Sequence, residues 1–413
     1  MSWNRRHTDE QILAALREHG SIRAAGRALG LSDGAIQGRV VRLRAAGHKI
    51  EGADQACAVV APAVDKDRRI RELQAEVKRL SIAESERELI RRVVGRIDAQ
   101  IGMVPDWTTA KPRAGKLVHG IPTLMLSDLH FGEVVFPGQV NGVNQYTTAI
   151  AKRRLRRVVD GSVKLLRQTL SPGEFGGMVV IFGGDMVEGV IHDEIRDTSD
   201  ETVMQAVITL HDELVPALKA LCDEFGRLHV PCVVGNHGRL DRKPRQKKGP
   251  ALNFDWLMYQ FIARTVGGDP KYKSRITFQI PDGYECSWRV HGMRYMLTHG
   301  DSFKGGDGIT GPLIPWMRGD LKARKSYGAM GLPYDVMVMG HWHQLRYLGG
   351  IVVNGSLVGY NEYAAKNHFG FEPPQQALWL THPTRGLTFQ EAVFADEPAP
   401  RDARAWVSVP AAA

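Results

Sequence analysis

At 413 residues, 43% hydrophobic and 24% charged, the chain is long enough for two or more domains with real cores, which excludes a disordered or fibrous protein. Its formal net charge of +9 favours acidic partners such as nucleic acid or an anionic surface, although an ordinary basic soluble protein has the same balance. Cys57, Cys222, Cys232 and Cys286 form neither a CxxC pair nor a dense framework, so they read as reduced core thiols.

The N-terminal MSWNRRHTDEQ lacks an apolar signal core, and no stretch approaches the roughly 20 apolar residues of a membrane span. A cytoplasmic protein without membrane contact is expected. Thr8 caps a first helix with Ile12, Leu13 and Leu16 on one face and Gly20 at its end. Ser21 caps a second, with Ile22, Ala25 and Leu29; Ser32 caps a third, whose Ile36, Val40 and Leu43 make one apolar stripe. Two short helices, a tight turn at Leu29-Gly30-Leu31 and a third helix match a helix-turn-helix layout. SIRAAGRALGLSDGAIQGRVVRL resembles the helix-turn-helix modules of bacterial and phage regulators. The resemblance implies an all-α DNA-binding domain over residues 1–55, with Ser32 to Arg42 as recognition helix and Gln37, Arg39 and Arg42 facing the duplex. Any three-helix unit would give the same apolar pattern; Arg39 and Arg42 lie off the stripe, as a phosphate or base contact requires.

Residues 52–64, Ala/Val-rich around Pro62, read as a linker. Residues 65–101 turn helical and charged, with Ile70, Leu73, Val77 and Leu80 at a/d spacing, a break, and resumption at Leu89, Val93 and Ile97. A helical linker lying on its own domain explains this stripe as well as a short coiled coil pairing two chains into a homodimer. A second linker, 102–120, carries Pro105, Pro112 and Gly115.

From residue 121 strands and helices alternate. Strands are expected at Ile121 to Leu126, Met178 to Phe182 and Leu228 to Val234, with helices at Thr147 to Leu170 and Glu201 to Phe225 between them. Such alternation predicts parallel pairing through right-handed crossovers. A helix over Asn253 to Val266 follows. Further strands then come at Arg275 to Ile280, Ser287 to Val290, Arg294 to Leu297, Val336 to Met339, Ile351 to Val353, Ala377 to Leu380 and Leu387 to Ala392. Strands in succession imply a second sheet packed on the first. Residues 396–413, rich in Pro, Ala and Arg, read as a flexible tail.

Five of the apolar runs end in polar residues, where open α/β sheets place ligands. LMLSDLH ends in Asp128 and His130, MVVIFGGD in Asp185, PCVVGNHG in Asn236 and His237, YMLTHGD in His299, and VMVMGHWH in His341 and His343. Asp128, His130, Asp185, Asn236, His299, His341 and His343 offer carboxylate, amide and imidazole donors, a set suited to manganese, with iron or zinc as alternatives. No thiolate joins them, which argues against a structural zinc finger.

In order, DLH, GGD, GNHG, THG and GHWH resemble the motif set of the calcineurin-like metallophosphoesterases, over residues 121–395. The resemblance implies an α/β protein whose two-layer β-sandwich is flanked by helices, with two divalent ions at the sandwich edge. By resemblance the first ion takes Asp128, His130, Asp185 and His343, and the second Asp185, Asn236, His299 and His341, with Asp185 as candidate bridge, since two cations about 3.5–4 Å apart repel unless an anion lies between them. The alternation in GHWH fits this division if the segment is extended, since residues two apart then point the same way and can reach neighbouring ions. Water between two such ions is acidified toward neutrality and can attack phosphorus in line with the leaving oxygen. His237, not needed as a ligand, is placed to protonate that oxygen or to orient substrate. Phosphoprotein phosphatases of the family carry an Arg-containing motif after GD; here Glu188 and Gly189 stand in that region, which disfavours a phosphoprotein substrate.

After GNH comes GRLDRKPRQKKG, in which Arg239, Arg242, Lys243, Arg245, Lys247 and Lys248 meet one acid, Asp241. A charge run is commonly a solvated face, but this one is tied to the motif loop and so lies near the expected phosphate. Lys152, Arg153, Arg154, Arg156 and Arg157 form a second cluster. A third basic segment, from Lys304 through Trp316, Arg318, Lys322, Arg324 and Lys325, contains Gly305, Gly306, Gly308 and Gly311 and reads as a mobile loop. With Trp316 and Tyr327 it suits backbone tracking and base stacking. The expected function is phosphodiester hydrolysis, foremost as a DNA nuclease. The alternatives are a small-molecule phosphatase or cyclic-nucleotide phosphodiesterase, and a DNA-binding regulator with a non-catalytic metal domain.

Overall fold

The computed structural model describes residues 7–50, 104–110, 119–170, 175–189, 191, 198–305 and 311–397. The chain divides into two compact units, 1–92 and 93–413. The linker expected at 52–64, the helical segment 65–101, Cys57, Pro112, Gly115, Gly306, Gly308 and the tail beyond 397 lie outside the described residues.

In the first unit capping chemistry sets the element boundaries. Helix α1 (Asp9–His19) opens on a reciprocal cap: Gln11 N–H donates to Thr8 Oγ1 at 3.3 Å and Thr8 N–H to Gln11 Oε1 at 2.9 Å. It closes at Gly20, whose φ of +63° is left-handed. The hydroxyls of Ser21 and Ser32 cap α2 (Ile22–Ala28) and α3 (Asp33–Ala45). Ile12, Leu16, Ala25, Ile36, Val40 and Leu43 close one small core.

In the second unit, β1 (Ile121–Leu126), β2 (Met178–Phe182), β3 (Leu228–Pro231) and β4 (Ile276–Gln279) pair in parallel. Helices α4 (Thr148–Lys164), α5 (Val203–Phe225) and α6 (Phe254–Gly267) make the connections. β10 (Gln375–His382) and β11 (Gly386–Phe394) extend the β1 edge in antiparallel fashion, so the order is β11-β10-β1-β2-β3-β4. The second sheet runs β5-β6-β7-β9-β8, from β5 (Glu285–Val290), β6 (Met293–Thr298), β7 (Val336–Met339), β8 (Arg346–Leu348) and β9 (Ile351–Val353). Ile121, Met125, Val179 and Ile181 of the first sheet share a core with Trp288, Tyr295, Leu297, Val338 and Val352 of the second. Every position of β1, β2 and β7 is buried, which is why these strands read as continuous apolar runs rather than alternating ones. No helix among the described residues is long and apolar enough to cross a membrane.

Three expectations are corrected. The basic segment around Trp316 is not a loop: α7 (Leu313–Ala329) covers the outer face of the second sheet, Trp316 is buried with Met337 and Met339, and its ring lies edge-on to Trp342 at 5.8 Å. Trp316 is therefore unavailable for stacking on bases, while the Tyr327 hydroxyl is bound to Glu285 and Arg324 donates to Asp320 and to the carbonyls of Tyr334, Asp335 and Gly350. Of the five residues in the basic cluster on α4, three are paired internally, while Arg153 is 60% exposed. Arg154 is buried and donates to Asp396, Asn144 and the carbonyls of Leu357 and Val358; Arg156 pairs with Glu213 and Arg157 with Glu397. Those same pairings hold Asp396 and Glu397, the first two residues of the expected flexible tail, on the body of the unit. Third, β3 stops at Pro231, three residues short of Val234; beyond it only an isolated bridge between Cys232 and Phe182 continues the pairing.

Candidate metal centre

The expected ligands stand in the loops that leave β1, β2, β3, β6 and β7, and the sandwich edge brings all of these loops together. Donor atoms of Asp128, His130 and His343 lie within 4.8 Å of one another, and so do those of Asp185, His299 and His341. His130 Nε2 is 3.2 Å from His343 Nε2, and His343 Nε2 is 3.5 Å from Asp128 Oδ1. Asp185 Oδ2 meets His299 Nε2 at 2.9 Å while its Oδ1 accepts the His237 N–H at 2.7 Å. The two groups are joined through the backbone, because His130 N–H donates to the Asp185 carbonyl and Asp128 N–H to that of Gly184.

Five of the seven expected ligands carry left-handed backbone: φ is +54° at Asp128, +45° at His130, +49° at Asp185, +68° at His341 and +54° at His343. Such conformations in non-glycine residues persist only where surrounding structure enforces them, and they gather at functional sites. They also correct the account of GHWH. His341 and His343 are not on an extended segment; each is swung by its own positive φ, His341 toward His299 and Asp185 and His343 toward His130 and Asp128. Neighbouring glycines allow the crowding. A Cβ on Gly235 would sit 2.1 Å from Asp185 Oδ1, and one on Gly184 would meet the Gly235 nitrogen at 2.4 Å.

The electrostatics select for positive charge. Burial works to raise the pKa of Asp185, but His299 and His237 outweigh it and hold the carboxyl well below the usual range. Burial likewise opposes protonation of His299, yet the Asp185 carboxylate carries its pKa to about 10. His341, pushed down to about 4 by burial and by His299, keeps its ring lone pair for a ligand. Asn236, whose neighbour His237 donates its N–H to Asp185, supplies the plainest test of fit: its Oδ1 is buried with no hydrogen-bond partner among the described residues. A buried amide oxygen left unpaired costs on the order of 1–3 kcal/mol unless a cation takes it up. The donor set fits divalent metal, with Asp128, His130 and His343 gathered in one group and Asp185, His299 and His341 in another.

Two residues that motif reasoning passed over complete the centre. Glu188, buried, binds His130 Nδ1 through Oε2 and His237 Nδ1 through Oε1, the latter at 2.9 Å. Burial acts to raise its pKa, and the two imidazoles prevail and hold it below the ordinary carboxylate range. Asp255, at the head of α6, is wholly buried and accepts the backbone N–H groups of Asp185 at 3.0 Å, Gly235 at 2.9 Å and Met186 at 3.2 Å. It thereby ties the Asp185 loop to the Asn236 loop. Burial and the nearby Asp185 charge push its pKa up to about 6. Its only sequence signal is the acid at the start of a helix, a common pattern. Asp255→Ala leaves three buried N–H groups without an acceptor and is expected to weaken metal binding by about 10–100-fold. Titration calorimetry with manganese measures this, and wild-type affinity in the variant would show that Asp255 does not position the loops.

Beyond the centre, Arg239, Lys243 and Arg245 line a pocket with Asn236, Tyr284 and Asp301. The Arg239 guanidinium donates to the carbonyls of Asp241 and Arg242, and Arg245 pairs with Asp241, so part of the loop's charge stiffens the loop itself. Arg242, Lys243, Lys247 and Lys248 have exposed side chains. In the first unit Gln37 and Arg42 are exposed, whereas Arg39 binds Asp9 and the His7 carbonyl, both at 2.8 Å.

No protein-family model matches the sequence, and no curated protein matches it. Solved structures that overlap it include a mutant of Vps29 from Entamoeba histolytica, at 15% identity over 63% of this chain and 85% of the other, with a TM-score of 0.26. A dimetal phosphatase from Danio rerio overlaps at 11% identity over 67% and 99%, TM-score 0.32. A protein of Streptococcus pneumoniae described as a predicted phosphoesterase does so at 11% over 64% and 84%, TM-score 0.25. Overlap at this level carries no argument about activity.

Proposed function

We propose that the chain is a dinuclear metal-dependent phosphoesterase of the calcineurin-like type that hydrolyses phosphodiesters, with DNA as its substrate. The observation that carries the reading is the gathering of two carboxylates and four imidazoles in two neighbouring donor groups, with Asn236 Oδ1 on the loop beside Asp185 buried and, among the described residues, unpartnered. When bound, two divalent ions polarise a phosphoryl oxygen and acidify water. The protein's own groups supply the rest. Asp185 would hold an ion with His299 and His341, its carbonyl ties that group to His130 by accepting the His130 N–H, and Asp255 fixes its loop. Glu188 fixes the His237 ring by taking Nδ1, so the proton that His237 gives to the leaving oxygen is carried on Nε2. Burial opposes a charged His237, but Glu188 and Asp185 outweigh it and raise its pKa above the ordinary imidazole value, which suits an acid.

DNA is favoured over a small ester by the cationic pocket beside Asn236, and by Gln37 and Arg42 exposed on α3 in a unit of helix-turn-helix layout. Wild type and an Arg42→Ala, Gln37→Ala variant are to be assayed with manganese on single- and double-stranded DNA, bis-p-nitrophenyl phosphate and a phosphomonoester. Diesters and DNA should turn over, and the variant should lose DNA cleavage relative to the small diester, with a flatter salt dependence. Turnover of the monoester alone would identify a phosphatase. Inertness toward every substrate with every metal would favour a regulator.

A further inference from the structure

Of the six exposed Phe and Tyr side chains described in the second unit, Tyr284 and Phe394 lie apart, and the other four stand on two segments that a hydrogen bond joins. Tyr363, Phe369 and Phe371 are 67%, 48% and 59% exposed, and Phe136 is 46% exposed. Tyr363 meets Phe369 with ring centroids 5.7 Å apart, and Tyr360 meets Phe371 at 5.8 Å. All but Phe136 lie on or beside the short helix α8 (Glu362–Lys366), and the Phe136 N–H joins them by donating to Glu362 Oε1 at 2.8 Å. Rings left in water in one place mark a contact surface.

This rim is fixed to the metal centre. Leu357 N–H donates to the Asp128 carbonyl at 3.0 Å. Asn361 Nδ2 donates to Glu133 Oε1 at 2.9 Å, and Glu133 Oε2 lies 3.9 Å from His130 Nδ1. From behind, Arg154 donates to the carbonyls of Leu357 and Val358, and Asn144 to those of Val358 and Tyr360. The rings are thus held in a set position relative to Asp128 and His130.

A charge pattern says what occupies the rim. Lys366 stands exposed in the chain between Tyr363 and Phe369, opposite in charge to Glu362 of the same helix, and the Asn236 loop of the centre carries Arg239, Lys243 and Arg245. π-faces beside a lysine and tied to the loops of Asp128 and His130 complement a single-stranded nucleotide chain, whose bases stack while its backbone meets positive charge. A purely apolar partner would gain nothing from the lysine.

We propose that Phe136, Tyr360, Tyr363, Phe369 and Phe371 form a stacking ledge for an unpaired nucleobase next to the scissile phosphate. The position of that phosphate rests on the phosphoesterase reading above. Two measurements on the full chain test the ledge, in wild type and in a Phe369→Ala, Phe371→Ala double variant of exposed residues. The first compares thymidine 5′-(p-nitrophenyl phosphate) with methyl p-nitrophenyl phosphate, which share a leaving group. The ratio of their kcat/KM values is expected to fall about tenfold in the variant, through KM. The second follows fluorescence anisotropy of a single-stranded oligothymidylate in chelator, where Kd should rise about tenfold without any turnover. An oligonucleotide that binds both proteins equally, or binds neither, overturns the ledge. So does a wild-type dimer in sedimentation that the variant loses while Kd stays constant, since a second copy would then be what covers the rings. If neither ester is hydrolysed with any metal but Kd still rises in the variant, the ledge stands and the phosphoesterase reading fails.

Discussion

Asp185→Asn is expected to remove metal binding and hydrolysis together, with kcat/KM falling by about 10³-fold or more, a loss of about 4 kcal/mol of transition-state stabilisation. The reason lies in the direction of its two oxygens. Oδ1 accepts the His237 N–H and Oδ2 faces His299, so each lies toward a different part of the centre. An amide has one acceptor oxygen and turns an NH₂ group toward whichever partner it loses. It would also remove a buried negative charge that favours a cation beside His299 and His341. The side chain is nearly isosteric, so thermal unfolding should show a folded protein. Calorimetric titration with manganese and the bis-p-nitrophenyl phosphate assay read the two losses. A variant that takes up both ions and retains activity would remove Asp185 from the middle of the site.

His237→Ala is expected to retain metal uptake and to slow esters of poor leaving groups by about 10²–10⁴-fold, while nitrophenyl esters, whose leaving oxygen needs no proton, slow far less. The His237 ring is held by Glu188 on one side and lies edge-on to His130 with centroids 4.6 Å apart, so its orientation is over-determined. Glu188→Gln should reproduce the same leaving-group dependence in weaker form, because it frees the ring without removing it. Parallel slowing of both ester types in His237→Ala would assign the ring to substrate orientation instead. Measuring kcat for alkyl and nitrophenyl diesters separates these outcomes.

Much of the second unit was legible because its strands are buried on both faces. A run such as Met178 to Phe182 has one reading, and the polar residues that follow it mark the sheet edge by position alone. The caps of the first unit were legible for a local reason: Thr8 and Gln11 satisfy each other across three residues. What sequence could not carry was partnership over distance. Arg154 reads as one more surface cation until Asp396, 242 residues away, is seen beside it. Trp316 sits in a basic, glycine-rich stretch whose composition suggested a loop, and only the Met337 and Met339 face of the second sheet explains its burial in a helix. Asp255 and Glu188 were hidden for the same reason, since their roles are defined by backbone groups and rings contributed from other strands.

The left-handed backbones at Asp128, His130, Asp185, His341 and His343 bear on how this sequence persists. Each of the five positions would be more at ease as glycine, by an amount on the order of 1 kcal/mol, and as glycine each would have no donor to offer. Drift under selection for folding alone would therefore favour the site's erasure, one substitution at a time. Five such residues standing together are strain that the surrounding structure must enforce, at positions whose side chains gather as potential metal donors.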